Sequence, residues 1–68
     1  MNIEQAKATC ANPRAIPKNS RYVIVDMRDR SVLEGHANVD AASRSCHWAN
    51  DHEDRNDRGR PYIVEALT

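Results

Sequence analysis

The chain is 68 residues long, which leaves room for one hydrophobic core and excludes a second domain. Ten basic and ten acidic side chains cancel, which excludes the uniformly basic surface of a general nucleic-acid binder but not a local basic patch. Two cysteines are too few for a disulfide-dense secreted scaffold, Met1 to Ala8 lacks the apolar segment of a signal peptide, and the longest run of large apolar residues, Tyr22 to Val25, is far short of the roughly 20 needed to cross a bilayer. These features predict a soluble cytoplasmic protein with both cysteines as thiols.

Asn2 can cap a short helix over Ile3 to Ala11, with Ile3, Ala6 and Cys10 on one side and Pro13 stopping it. A helix that short is marginal in water and persists only if that side docks on the remainder. Asn12 to Ser20 contains Pro13 and Pro17 and reads as an extended connector pinned by Ile16. Residues 1–20 thus form an N-terminal helix and connector ahead of a core spanning 21–67, within a single domain of residues 1–68.

Arg21 to Met27 is the clearest strand, since Tyr, Val and Ile favour strands and the run is too short for a helix. Arg28 to Ser31 supplies turn residues and Val32 to His36 a second strand, making a hairpin in which Gly35 marks a bulge or the strand end. Asn38 or Asp40 can cap a helix reaching Asp54, whose inner stripe is Val39, Ala42, Cys46 and Ala49. Asp54 to Gly59 breaks the pattern, and Arg60 to Leu67 is a third strand with Pro61 at its start.

A crossover helix brings the third strand back beside the first. The fold class is therefore α+β, a three-stranded antiparallel sheet of order 2-1-3 with one packed helix in ββαβ order, preceded by the short N-terminal helix. Alternation places Val23, Val25, Met27, Leu33, Tyr62 and Val64 under the long helix. The opposite face then holds Tyr22, Ile24, Val32 and Ile63 beside Asp26, Glu34, His36 and Glu65. That surface is half apolar and half acidic, open to a partner or to a second copy across a two-fold axis.

Catalytic and metal chemistry find no pattern. Cys46 and His47 are adjacent on a helix and diverge by about 100°, so they cannot form a thiol–imidazole pair. His47 and Asp51 share a face, yet lack a third ligand. No CxxC, HxxxH or HExxH spacing occurs, Arg55 and Arg58 interrupt the acidic run where a calcium loop needs oxygen ligands, and two glycines are too few for a phosphate-binding loop. The expectation is a protein with no cofactor and no catalytic residues.

Binding chemistry is better supplied. Arg28 and Arg30 at the hairpin tip and Arg58 and Arg60 before the third strand should meet at one end of the sheet, able to grip phosphates or an acidic protein groove. Against that stands a network of solvated ion pairs with neighbouring aspartates, each worth little. Trp48, at the margin of the helix stripe, is either a contact residue or a filler at the core edge. The candidate partner-binding residues are therefore Arg28, Arg30, Trp48, Arg58 and Arg60, with Asp26, Glu34 and Glu65 on the acidic face.

The succession RYVIVDMRDRSVLEG, NVDAASRSCHWAND and GRPYIVEAL, covering residues 21–67, resembles small proteins of phages and mobile elements, some type I anti-CRISPR proteins among them. The resemblance implies a non-catalytic protein-binding module, an inhibitor of a host or defence complex. It carries no motif that assigns a site residue. A nucleic-acid-binding regulator using the arginine-rich end and a self-associating structural protein are the competing expectations.

Overall fold

In the computed structural model all residues, 1–68, are described. The elements are α1 (Ile3–Thr9), one 3₁₀ turn (Pro13–Ala15), β1 (Tyr22–Asp26), β2 (Ser31–His36), α2 (Val39–Arg55) and β3 (Tyr62–Ala66). The sheet is antiparallel with order β2-β1-β3, the α+β arrangement expected from the sequence.

Local chemistry explains the helix ends. Asn2 Oδ1 accepts from the Gln5 N–H at 2.8 Å while Gln5 Oε1 accepts from the Asn2 N–H at 2.9 Å, a reciprocal cap on α1. The helix stops at Thr9, short of Ala11, because Cys10 turns extended and pairs with Val32 on the outer edge of β2. Pro13, expected in an extended connector, instead opens the 3₁₀ turn, capped by Asn12. Asn38 Oδ1 starts α2 by accepting from Asp40 and Ala41. At its other end Asp57 (φ 58°) and Gly59 (φ 77°) adopt left-handed conformations that turn the chain into β3.

β1 is central, and its Val23, Ile24 and Val25 are all fully buried. The two helices lie on opposite faces of the sheet. Ala6, Cys10 and Ile16 pack with Val23, Val25 and Val32, backed by Met1, Ile3 and Leu67. On the other face α2 presents Ala42, Cys46 and Ala49, all buried, toward Ile24 and its neighbours Glu34 and Val64. Three small residues in the stripe let α2 sit close to the sheet.

This arrangement corrects the expected faces. The valines of β1 lie under α1, and α2 covers the face of Tyr22, Ile24, Asp26, Glu34, Tyr62 and Val64. Two features cause the inversion. The pairs Ile24↔Glu34 and Val25↔Val32 leave Leu33 as a bulge residue, so Val32 joins the valine face and Leu33 turns outward at 41 % exposure. Tyr62 and Val64 pair with Asp26 and Ile24, not with the valines. Met27 is likewise outside the core, at 46 % exposure. With a helix on each face, neither face is free for a two-fold partner.

Gly35 marks neither the bulge nor the strand end. A Cβ there would lie 2.7 Å from Ser20 Oγ and 3.0 Å from Ile16 Cγ2, so the connector packs against bare backbone. Asn50, a polar residue only 9 % exposed, stands on the inward side of α2. Its side-chain amide donates to the Tyr62 carbonyl at 2.9 Å and accepts from the Tyr62 N–H at 2.8 Å. It thus substitutes for a neighbouring strand at one end of β3.

Candidate interaction surfaces

The four arginines proposed for the sheet end do not form one cationic cluster. Arg28 forks onto Asp26, at 2.7 Å and 3.0 Å, reaches Glu53 at 3.5 Å and lies over the Tyr62 ring at 5.8 Å. Arg58 also closes on Glu53. Arg60 bonds Asp51 at 2.7 Å and approaches Asp54 at 3.6 Å. Arg30 turns to the opposite face and meets Glu65 at 3.3 Å.

The carboxylates record these contacts. Hydrogen bonds from Arg28, Arg60 and Arg58 hold Asp26, Asp51 and Glu53, respectively, below the usual carboxylate range. The Arg28 guanidinium is correspondingly harder to deprotonate, chiefly through its bond to Asp26. An incoming phosphate would have to displace these carboxylates. The arrangement is a solvated ion-pair network of modest energetic value, because its guanidinium groups stay open to solvent even where Asp26 and Glu53 are largely covered.

The acidic face is also divided. Asp26 and Glu34 lie on the face under α2, whereas Glu65 pairs with Val23 on the α1 face and accepts from Arg30 and the Met1 ammonium, each at 3.3 Å. Glu34 is held by Ser45 Oγ, which donates at 2.9 Å, and by His36 through Nε2. Serine and histidine both donate to the carboxylate and not to one another, so this trio fixes Glu34 without activating the hydroxyl. No group of three or more His, Cys, Asp or Glu side chains is placed to hold a metal ion.

His47 and Asp51 do meet, Nε2 to Oδ2 at 3.3 Å, while Arg60 donates to His47 Nδ1 at 3.3 Å. They belong to the Arg60 ion-pair network. Cys46 is buried on the sheet-facing side of α2, and burial pushes its thiol pKa up. A raised pKa makes it a poor nucleophile.

The outer face of α2 is different. Trp48 is 70 % exposed at mid-helix, stacked on His52 with ring centroids 5.8 Å apart and planes within 10°. Trp48, His52, Asp51 and Arg55 line a shallow cleft. Arg44, four residues before Trp48, and Arg55 make no ion pair, unlike the arginines of the sheet end. An exposed indole fixed by a ring partner and flanked by free guanidinium groups is the most contact-ready surface of the molecule.

Trp48 was a sequence candidate, whereas Arg44 and Arg55 were not. The spacing of Arg44, Trp48, His52 and Arg55, opposite the Ala42, Cys46 and Ala49 stripe, was the signal that could have joined them. No helix is long and apolar enough to cross a membrane. No protein-family model, curated protein or solved structure matches the chain.

Proposed function

We propose that the chain is a non-catalytic protein-binding module acting in the cytoplasm, an inhibitor of a host or defence complex of the anti-CRISPR kind, and that it presents the outer face of α2 to its partner. The observation that carries the reading is the mid-helix Trp48, exposed on a helix whose other side is anchored to the sheet. An indole left in water has large apolar area to bury, and tryptophan is enriched among residues that dominate interfaces. Anchoring of α2 means little ordering cost on association. The sheet-end arginines contribute less, since each already has a carboxylate partner.

The test is capture of a partner from host lysate followed by titration of the purified pair. Trp48→Ala should weaken affinity by about thirtyfold or more, the ~2 kcal/mol of a dominant contact. Changing Arg28, Arg58 and Arg60 together to Ala should alter affinity less than fivefold. Equal binding by the Trp48 variant would overturn the reading.

One observation favours a nucleic-acid partner instead. The Trp48–His52 stack with Arg44 and Arg55 beside it has the composition of a base-stacking platform. Binding to single-stranded oligonucleotides over a salt series separates the two, because phosphate contacts make affinity fall steeply with salt.

A further inference from the structure

The outer edge of β3 carries an inference independent of the Trp48 surface. In an antiparallel ladder alternate residues turn their backbone groups toward and away from the neighbouring strand. The bonds Met27 N–H to Pro61 O (2.9 Å) and Leu67 N–H to Arg21 O (2.8 Å) set the phase. Ile63 and Glu65 therefore face β1, whereas Tyr62, Val64 and Ala66 face outward. Asn50 satisfies both groups of Tyr62, and at the other end the Thr68 N–H donates to the Met1 carbonyl at 3.0 Å. Between these caps the N–H and C=O groups of Val64 and Ala66 meet no protein partner.

We infer that this window pairs with the same window of a second copy, antiparallel about a two-fold axis at Glu65. Register follows from the caps. Pairing Val64 with Ala66 of the second copy matches open groups to open groups and makes four backbone hydrogen bonds, whereas a register centred on Val64 sets Asn50 opposite Ala66, and one centred on Ala66 sets Met1 opposite Val64. The side-chain pattern is self-complementary in the matched register. Ile63 meets Leu67 of the second copy on one face, Val64 meets Ala66 on the other, and each contact recurs across the axis.

Ile63 is exposed in the single chain and gains apolar cover by pairing. The two Glu65 carboxylates face one another at the axis, a repulsion moderated because each brings Arg30 and the Met1 ammonium. Beyond the window the strands splay around the caps. The contact is short, so the dimer is a weak one.

Sedimentation equilibrium on the full chain should show the average mass rising from monomer toward dimer with concentration. Val64→Pro removes an outward N–H without touching the β1 ladder and should abolish the rise. Since that variant can misfold, a second measurement uses Glu65→Cys under mild oxidation. A residue on the axis should cross-link to itself, while Ile63→Cys, which faces Leu67, should do so at least tenfold more slowly. A concentration-independent monomer without Glu65→Cys cross-linking overturns the inference, as does equal cross-linking at both positions.

Discussion

Gly35 shows how one residue's chemistry is set by what touches it. Its missing side chain admits Ser20 and Ile16, so Gly35→Ala should destabilise the fold by about 1–3 kcal/mol through overpacking. The buried Ser20 hydroxyl has no hydrogen-bond partner. Ser20→Ala alone should therefore be neutral or stabilising, and Ser20→Gly in the Gly35→Ala background should recover part of the loss. Urea midpoints of the variants measure this; a Gly35→Ala protein as stable as the parent would show that the connector does not pack as described. Asn50 makes a second case. Asn50→Ala strips both partners from Tyr62 and should cost about 1–3 kcal/mol, with the Tyr62 amide losing hydrogen-exchange protection while Val23 and Val25 keep theirs.

At the scale of elements, the sequence was legible where signals are local. Asn2 and Asn38 mark helix starts because a side-chain cap acts within one turn, whereas Pro13, expected in an extended connector, opens a 3₁₀ turn. The hairpin and order β2-β1-β3 follow from short connections. The faces were not legible, since they depend on a single bulge at Leu33 and on which helix takes the valines. Small residues on α2 suit Ile24 with its polar neighbours, and the N-terminal helix takes the larger apolar set. The two-sided packing also puts Cys10 and Cys46 on opposite sides of the sheet. Mild oxidation should therefore yield no intramolecular disulfide, and thiol reagents should label native protein much more slowly than unfolded protein. A rapidly formed internal disulfide, seen by mass spectrometry, would contradict the sheet's placement between them.

For the molecule as a whole, the paired carboxylates set the response to acid. Asp26, Asp51 and Glu53 are lowered by hydrogen bonds from arginine, and Asp29 by its bonds from Ser31. Depressed folded values mean that the unfolded chain takes up protons first. The stabilisation is thus complete above the ordinary values of 3.8 for Asp and 4.5 for Glu and disappears as pH falls below them through the folded values. Denaturant midpoints should be level from pH 7 to about 5 and fall toward pH 3. Replacing Arg28 and Arg58 by Ala should flatten that fall while lowering the midpoint at pH 7 only slightly, because both guanidinium groups are open to solvent. A midpoint unchanged down to pH 3 would contradict the ion-pair network.

The division of the surface into a satisfied sheet end and an unsatisfied α2 face is best tested by amide and indole NMR shifts of the labelled chain during titration with its captured partner. The largest changes should fall on Arg44, Trp48, His52 and Arg55, with the Trp48 indole N–H foremost, and the hairpin tip should move little. Changes centred on Arg28, Arg58 and Arg60, with Trp48 unmoved, would contradict the account.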